Sequence, residues 1–294
     1  MASYPDFVCI GAQKAATTWL YNVLRRVPGV FLPAIKELHY FSEHHSDDAK
    51  RFGPRHRAEQ IAHIREYQQN KLMLTPHDKA VREQINFLDS PTTDDDWYRS
   101  IFDFAGNNDI CGEICPCYMS MPVRGIRHTM SINPLIRVLV LVRDPIDRAW
   151  SQMRMHQKTG VMDFNLDRIL TGKSSMAPYM RYTDYANSLE HWKSMSGEGR
   201  FKAVVYDHIQ SNPETAIQQI LQFIGVPNQN SSIQLDEVVF QGMKVDLPVE
   251  LRAKLLKDLE PQYTYLHNLF PQQVESWIDR HKSALCTTSS PDPA

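Results

Sequence analysis

The sequence predicts an α/β fold in which helices flank a central parallel sheet within a single domain. Two segments support this prediction. In segment 6–24, DFVCIGAQKAATTWLYNVL, a short apolar run ends at Gly11 and is followed by apolar residues at helical spacing. In segment 137–156, RVLVLVRDPIDRAWSQMRMH, the same order recurs with a longer run of Val and Leu, which is typical of a strand buried on both faces of a parallel sheet. Each segment is therefore a strand–turn–helix unit.

The turn of the first unit has the features of an anion-binding site. Its backbone N–H groups and those of the first helical turn point into one concavity, where the helix dipole favours negative charge. Lys14 adds a full positive charge, and Thr17 and Thr18 add hydroxyl donors. Lys14 precedes Thr17 by three residues, whereas a Walker A loop has Lys directly before Ser or Thr. The turn is therefore predicted to bind a phosphate-like group, but not as an NTPase does.

The second unit places a cation at the end of its strand. Arg143 follows the apolar run, Asp144 is suited to cap the next helix, and Pro145 suits its first turn. Ser151 lies eight residues after Arg143, about two helical turns further on. Because ligands of open α/β sheets bind outside the carboxyl ends of the strands, Lys14 and Arg143 are expected to face the same crevice.

The other elements follow from local patterns. Residues from about 45 to 106 form a polar, helix-prone insertion, and 287–294 is a Ser- and Pro-rich segment predicted to be a disordered tail to a domain spanning 1–286. Strands are predicted at 110–114 and 201–206 from their apolar residues. Helices are predicted from periodicity and boundary residues at 55–67, 79–88, 123–131, 182–194, 213–223 and 248–270, with a further one starting at 94–96.

The two strand–turn–helix units resemble the nucleotide-binding motifs of sulfotransferases that use 3′-phosphoadenosine 5′-phosphosulfate (PAPS). That family has the approximate patterns G-x-x-K-[ST]-G-T-T, which GAQKAATT resembles, and R-[DN]-P-x-x-R-x-x-S, which RDPIDRAWS matches. The departures are Ala15 and Ala16, where the family commonly has a small polar residue and Gly. Ala16 allows close approach of the cofactor if its φ is negative. The resemblance implies a P-loop-NTPase-like sheet and a PAPS site formed by Gly11, Lys14, Ala15, Ala16, Thr17, Thr18, Arg143, Ser151 and Lys244.

The segment KELHYF at 36–41 resembles the K-E-x-H-[FY]-F stretch of the carbohydrate and heparan-type sulfotransferases. By this resemblance Glu37 is the expected catalytic base and His39 a neighbour that positions substrate or base, while Lys14 is expected to stabilise charge on the departing phosphate oxygen. From the residues alone, a surface turn with Glu37 in solvent and two aromatic residues in the core is the alternative. The two phosphate motifs favour the catalytic interpretation.

A third stretch, EICPCY at 113–118, resembles the E-K-[ST]-P-x-Y pattern of the carbohydrate branch. Ile114 and Cys115 replace its Lys and its hydroxyl residue, which suggests a different acceptor and puts a second catalytic lysine in doubt. The spacing of the three clustered cysteines is not a usual zinc spacing, so free thiols are expected. A solvated polar loop is likewise favoured over a metal site at His44 and His45, and no metal is expected.

Composition limits the classes of partner. The net charge of −2, from 32 basic and 34 acidic residues, gives no overall field that would attract nucleic acid. No apolar run approaches membrane-spanning length, and no signal-peptide pattern stands at the start. Five cysteines, an odd number, fit a reducing compartment, so we expect a cytoplasmic location. The oligomeric state is left open.

The function predicted from the resemblance is transfer of the sulfuryl group of PAPS to a hydroxyl of a carbohydrate, a lipid or another small molecule. Two alternatives stay open. The apolar strand followed by Asp144 could imitate a Walker B strand with Thr17 on Mg²⁺, which would indicate a nucleotide-dependent phosphotransferase. The departures at Ala16 and Ile114 could indicate a non-catalytic nucleotide-binding protein. The residues do not identify the acceptor.

Overall fold

Five parallel strands form one sheet in the structure, a computed structural model that describes residues 4–160, 165–227, 235 and 245–286. The order across the sheet is β2-β3-β1-β4-β5. The predicted cofactor residue Lys244 and the predicted tail at 287–294 lie outside the described residues. The strands are β1 (Phe7–Gly11), β2 (Val30–Phe31), β3 (Ile110–Ile114), β4 (Arg137–Val142) and β5 (Phe201–Val205).

The central strand β1 brings the two predicted units side by side. Phe7 pairs with Gly112 of β3 on one edge and with Arg137 of β4 on the other. A Cβ atom on Gly112 would lie 2.1 Å from the Phe7 ring, so glycine is needed for this close approach. Since β1 and β4 are adjacent and parallel, their carboxyl ends lie at the same edge of the sheet, as the sequence predicts.

Helices cover the sheet and account for most of the remaining described chain. Two 3₁₀ helices, Ile101–Phe104 and Pro116–Ser120, flank β3. The α-helices among the described residues are α1 (Thr17–Leu24), α2 (Tyr40–His45), α3 (Asp47–Gln69), α4 (Pro76–Leu88), α5 (Asp95–Ser100), α6 (Val123–Ile132), α7 (Pro145–Thr159), α8 (Leu166–Leu170), α9 (Ala177–Arg181), α10 (Tyr185–Ser196), α11 (Tyr206–Ser211), α12 (Pro213–Ile224), α13 (Val249–Asp258), α14 (Glu260–His267) and α15 (Pro271–Cys286).

Two predicted elements are wrong in detail. The predicted helix at 248–270 is interrupted, because Pro261 lacks the N–H that would continue the hydrogen-bond ladder, and α14 starts anew beside it. His44 and His45 are not in a solvated loop: they end α2, and His45 Nε2 lies 2.9 Å from Nδ1 of His128. The short strand β2 was not predicted at all, since two residues are too few to give a pattern.

The core is continuous from the sheet into the helices. Every residue of β1 is buried, and so are all residues of β4 after Arg137. Tyr185 and Trp192 of α10 are fully buried, so these aromatic residues belong to the core. The cysteines of the described chain form no disulfide bond. Within the described ranges, no helix combines the length and apolar character that crossing a membrane requires.

Candidate active site

The loop after β1 is tightly wound. Gly11 has φ 152°, and a Cβ atom there would lie 3.1 Å from Cβ of Met119 and 3.2 Å from the carbonyl oxygen of Pro116. Lys14 and Ala16 both have φ 69°. A residue with a side chain adopts this left-handed conformation at a cost of about 1–2 kcal/mol. The loop therefore holds its shape against local backbone strain.

Ala16 does not have the negative φ that would allow close approach of a cofactor without backbone strain. The values of φ 69° and ψ 18° lie in the left-handed region, which glycine adopts without steric cost. Ala16 directly precedes α1, and its carbonyl oxygen accepts a hydrogen bond from Leu20 N at 3.0 Å. Ala16 thus occupies a glycine-like turn position, and the strain is a property of this sequence.

The N-terminus of α1 opens towards the crevice at the strand ends. In the described part of the chain no side chain caps this helix, so the N–H groups of its first turn are available to an anion. Thr17 is buried and Thr18 is exposed. Ala15 is fully buried, and its N–H donates to the carbonyl oxygen of Ala12 at 3.2 Å, so Ala15 shapes the turn through its backbone.

Arg143 extends from the end of β4 to this loop. Its Nη1 donates to the carbonyl oxygen of Lys14 at 2.7 Å, and its guanidinium lies 4.5 Å from the ring centroid of Tyr206. Its Nε is buried and has no partner among the described residues. Because a buried donor without an acceptor costs about 1–3 kcal/mol, Nε is suited to an anionic ligand. Tyr185 fixes the backbone here: its hydroxyl accepts from Arg143 N at 3.3 Å and donates to Arg143 O at 3.0 Å.

Lys14 belongs to a group of cations that we call the basic cluster, formed by Lys14, Lys36, Arg143 and Arg154. Burial and the charges of Arg143, Arg154 and Lys36 lower the pKa of Lys14. Its ammonium lies 3.7 Å from Sδ of Met155, a weak acceptor. No carboxylate oxygen of the described residues lies within 4.0 Å of the Lys14 ammonium or of the Arg143 guanidinium. The cluster is therefore suited to a ligand with several negative charges.

Ser151 lies on the face of α7 that approaches the loop. Met155, which contacts Lys14, follows Ser151 by four residues, and helical positions four apart share a face. Ser151 is half-buried. The fold thus gathers Lys14, Arg143 and Ser151 at one crevice, although the first two are 129 positions apart in the sequence.

The residue after Arg143 anchors α7 to the C-terminal helices. Asp144 caps α7 as predicted, because its Oδ1 accepts from the N–H groups of Ile146 at 2.8 Å and Asp147 at 3.2 Å. The same carboxylate lies within hydrogen-bonding distance of three side chains from α14 and α15, namely Tyr263 Oη at 2.9 Å, Arg280 Nη2 at 2.9 Å and His281 Nε2 at 3.0 Å. Asp144 therefore has a structural role.

Arg148, the second arginine of the RDPIDRAWS motif, is not exposed to a ligand. It is fully buried, and burial lowers its pKa to about 10. Its guanidinium donates to Thr183 Oγ1 at 2.8 Å, to Gln152 Oε1 at 3.0 Å and to the carbonyl oxygen of Tyr179 at 2.7 Å. It joins α7 to α9 and to Thr183, which follows α9.

Glu37 and His39 lie in the loop before α2, beside the end of β3. Glu37 N donates to the carbonyl oxygen of Ile114 at 3.1 Å, and both residues have positive φ, 64° and 60°. The Glu37 carboxylate forms an ion pair with Lys36, and its Oε2 lies 3.5 Å from Nε2 of His39. His39 is fully buried, which favours contact with Glu37 over contact with an acceptor.

Its neighbours keep Glu37 ionised. Burial would raise the pKa of Glu37, but the contacts with His39 and Lys36 outweigh this effect and lower the pKa to about 2. Burial opposes the charged form of His39, whereas Cys115, Cys117 and Glu37 raise the pKa of this imidazole. Glu37 is half-buried and paired, so it is not the solvated side chain of the surface-turn alternative.

Two cations were missed in the sequence. Lys36 contacts Glu37 and acts on Lys14, so it links the predicted base to the basic cluster. Its position directly before Glu37 in the K-E-x-H pattern was the available signal. Arg154 follows Ser151 by three residues, which places both on one face of α7. The spacing of Arg154 from Ser151 is visible in the sequence, but the proximity of the Arg154 side chain to Lys14 depends on the tertiary fold.

Comparison with known proteins gives a family match over most of the chain. The model of a family described as "Sulfotransferase family" matches residues 5–230. Among curated proteins, the mouse bifunctional heparan sulfate N-deacetylase/N-sulfotransferase 4 is 22% identical over 246 residues, which is 78% of this chain. The chain spans 23% of the length of that relative.

Solved structures of sulfotransferases share the fold of this chain. A sulfotransferase from Alicyclobacillus acidocaldarius superposes with a TM-score of 0.65 at 19% identity, covering 94% of this chain and 99% of the other. The sulfotransferase domain from the curacin biosynthetic pathway superposes with a TM-score of 0.51 at 16% identity, covering 88% and 98%. The helix-flanked parallel sheet is therefore the P-loop-like architecture of these proteins.

Proposed function

This chain belongs to the sulfotransferase family, and from that premise we propose that it transfers the sulfuryl group of PAPS to a hydroxyl of a carbohydrate, lipid or other small-molecule acceptor. The observation that most supports this proposal is the pair of cations at adjacent strand ends. Arg143 contacts the loop that carries Lys14, and neither cation has a carboxylate partner within the described residues. A donor with phosphates at both ends would supply the missing negative charge.

The residues present fit PAPS. Arg143, through its unpartnered Nε, and Ser151 on α7 are proposed to bind the 3′-phosphate. Lys14, the first N–H groups of α1 and the Thr17 and Thr18 hydroxyls are proposed to bind the 5′-phosphosulfate. When bound, PAPS supplies an activated sulfuryl group whose leaving group is a phosphate oxygen. No metal ion is needed for this binding, because side chains and amides provide the positive charge.

Glu37 is the proposed base. Its carboxylate would accept the proton of the acceptor hydroxyl during transfer, and Lys14 would stabilise the charge that develops on the departing phosphate oxygen. A carboxylate with a pKa of about 2 is a weak base. The negative charge of bound PAPS next to Lys36 would raise this pKa, since nearby like charges disfavour the ionised carboxylate. His39 and Lys36 orient the carboxylate until then.

The acceptor class is proposed only broadly. The helices α3, α4 and α5 of the insertion are the proposed acceptor wall. The mouse relative is named for N-sulfation of heparan sulfate, which is a reason to include glycans among the acceptors tested. Ile114 is 1% exposed, so it offers no polar group in place of the lysine of the carbohydrate branch.

The phosphotransferase alternative requires Asp144 to hold Mg²⁺. Both carboxylate oxygens of Asp144 are already engaged by amides of α7 and by side chains of α14 and α15. Calorimetry with PAPS, its desulfated product and ATP, each with and without Mg²⁺, followed by a screen of hydroxylated acceptors, tests the proposal. We expect binding of PAPS and its product without Mg²⁺ and sulfation of an acceptor. Mg²⁺-dependent binding of ATP alone would contradict the proposal, and PAPS binding without turnover of any acceptor would favour a non-catalytic binder.

A further inference from the structure

Three potential metal ligands of different chemistry meet beside the proposed base. One carboxylate oxygen of Glu37, a ring nitrogen of His39 and the sulfur of Cys117 all lie within 4.8 Å of one another. Glu37 and His39 precede α2, and Cys117 is in the 3₁₀ helix Pro116–Ser120 that follows β3. The hydrogen bond from Glu37 N to the carbonyl oxygen of Ile114 joins the two segments at 3.1 Å. The backbone therefore holds the three side chains together before any ligand binds.

The imidazole of His39 has one nitrogen engaged and one without a hydrogen-bond partner. Ser42 Oγ donates to the carbonyl oxygen of His39 at 3.0 Å, so at 3.3 Å from Nδ1 it is placed to accept a hydrogen bond from that nitrogen. Once Nε2 has given up its proton, it can present a lone pair to a metal ion while Nδ1 keeps this hydrogen bond. Nε2 is buried and makes no hydrogen bond to any described residue. Metal-bound histidines use this same division, with one nitrogen on the ion and the other in a hydrogen bond.

The distance between Nε2 of His39 and Oε2 of Glu37 fits a shared metal ion. At 3.5 Å it is too long for a good hydrogen bond. Two ligands of a tetrahedral Zn²⁺, at bond lengths of about 2.0–2.2 Å, are separated by about 3.4 Å. Lys36 contacts the other oxygen of Glu37, Oε1, so the ion pair and the metal bond use different oxygens.

The third ligand decides which metal fits. Cys117 is half-buried, and its sulfur accepts a contact from the hydroxyl of Tyr182 at 3.8 Å. A set of thiolate, imidazole and carboxylate suits Zn²⁺, whereas Mg²⁺ and Ca²⁺ prefer oxygen ligands only. Three protein ligands leave a fourth position for water.

A second group of potential metal ligands in the described chain has its ligand atoms already engaged by other side chains. Asp144, Asp147 and His281 also have ligand atoms within 4.8 Å of one another. Their atoms are already paired: His281 Nδ1 lies 2.7 Å from Nη1 of Arg252, and Arg280 donates to both carboxylates, at 2.9 Å and 2.7 Å. The comparison identifies the unpartnered Nε2 of His39 as the distinguishing feature.

We propose that Glu37, His39 and Cys117 bind a thiophilic divalent cation, with Zn²⁺ as the probe, and that the bound ion reversibly inhibits sulfuryl transfer. On binding, the Cys117 thiol loses its proton to solvent, as does Nε2 of His39 where the imidazole is protonated, and the sulfur–metal and nitrogen–metal bonds form. The ion occupies Oε2 of Glu37, so this carboxylate can no longer accept the proton of the acceptor. Metal binding rests on the geometry alone, whereas inhibition also rests on the proposed function of Glu37 as base.

Co²⁺ replaces Zn²⁺ as a spectroscopic probe of the site. We expect chelator-treated protein titrated with Co²⁺ to show the visible bands of tetrahedral Co²⁺ and a thiolate-to-metal charge-transfer band, and we expect Zn²⁺ to remove both. Cys117→Ser should lose the charge-transfer band, while Cys286→Ser, at the exposed end of α15, should keep it. Circular dichroism of each variant checks folding. Absence of the band in the wild-type protein, or its persistence in Cys117→Ser, overturns the site.

Inhibition is measured in the sulfation assay. Zn²⁺ should reduce turnover, and EDTA should restore it. The Cys117→Ser variant should require a Zn²⁺ concentration about tenfold higher, or more, for the same inhibition. Full turnover at a Zn²⁺ concentration that saturates the spectroscopic site overturns the inhibition. A protein that binds Co²⁺ through Cys117 but sulfates no acceptor retains the metal site, and then it is the proposed function, together with the inhibition, that fails.

Discussion

Arg143 Nη1 donates a hydrogen bond to the carbonyl oxygen of Lys14 at 2.7 Å, so the arginine of the second nucleotide motif holds the lysine loop of the first. This contact couples the two halves of the proposed cofactor site without any ligand. A substitution at Arg143 therefore removes a proposed phosphate-binding group and also the hydrogen bond that holds the loop. Experiments on the 3′-phosphate need a second residue that does not touch the loop backbone, and Ser151 is that residue.

The first prediction separates the two effects. Arg143→Ala should weaken binding of 3′-phosphoadenosine 5′-phosphate about tenfold or more, since a hydrogen bond to a charged group contributes about 1.5–3 kcal/mol. It should also weaken binding of adenosine 5′-monophosphate, to a smaller degree, because the Lys14 loop loses the hydrogen bond that holds it. Ser151→Ala should weaken binding only of the ligand that has the 3′-phosphate. Calorimetry with both ligands measures these losses.

Ser194→Ala, at an exposed position late in α10, is the matched serine control and should change neither affinity. An equal loss of both ligands in Ser151→Ala would show that Ser151 does not bind the 3′-phosphate.

The second prediction distinguishes the base from the cation. Glu37→Gln should lower kcat by about 10²- to 10⁴-fold, the usual contribution of a general base, and leave PAPS affinity unchanged or slightly tighter because a nearby negative charge is lost. Lys14→Ala should reduce both kcat and PAPS affinity, since its ammonium is proposed to contact the donor before and during transfer. Steady-state kinetics and calorimetry separate the two variants. Wild-type turnover in Glu37→Gln would place the base elsewhere, and His39 is the next residue to test.

The third prediction concerns the strain at Ala16. Ala16→Gly should raise the free energy of unfolding by about 1 kcal/mol, because glycine adopts φ 69° without the steric cost that alanine has. Ala80→Gly, at an exposed position inside α4, should lower it by about 1 kcal/mol, the usual difference in helix propensity. Denaturant unfolding of both variants measures the contrast. Destabilisation of the same size in both would show that Ala16 is not strained.

The fourth prediction is a pH dependence of stability that comes from Glu113. Burial raises the pKa of Glu113 from 4.5 to about 7, against the lowering effect of hydrogen bonds from the hydroxyls of Tyr98 at 2.6 Å and Tyr118 at 2.9 Å. Between these pKa values the unfolded chain has released the proton and the folded chain retains it. The free energy of unfolding therefore falls as the pH rises from about 4.5 to 7, by about 3 kcal/mol.

Glu113→Gln cannot ionise and should lose this part of the pH dependence. Urea unfolding of the wild-type protein and the variant at pH 5, 6, 7 and 8 gives the comparison. The difference in stability between the two proteins should shift in favour of the variant as the pH rises. Parallel pH profiles would mean that Glu113 is not protonated in the folded state at pH 5.

Local patterns predicted the sheet strands next to the site. The β1 and β4 strands, the cap at Asp144 and the placement of Lys14 and Arg143 at one edge follow from apolar runs, boundary residues and the parallel-sheet rule. The two-residue strand β2 is too short to give a pattern. Pro261 marks the break in the C-terminal helix, and this signal is present in the sequence although the predicted helix at 248–270 runs through it.

Features that depend on tertiary contacts were not predictable. Nothing in the identity of Ala16 gives the sign of its φ, because alanine usually avoids the left-handed region and here adopts it. The hydrogen bond from Arg143 to the carbonyl oxygen of Lys14 joins residues 129 positions apart. The full burial of His39 follows from the packing of α3 against the loop, through ring contacts such as the one with Phe52 at 5.0 Å.

The carboxylate of Asp144 depends on side chains that lie beyond the segment matched by the family model. The family match ends at residue 230, yet the side chains that hold this carboxylate from the far side are Tyr263, Arg280 and His281. A chain trimmed to the match would retain both nucleotide motifs in full and would leave the start of α7 without its outer supports. The structural support of the proposed cofactor site therefore extends into α15, beyond the reach of the family match.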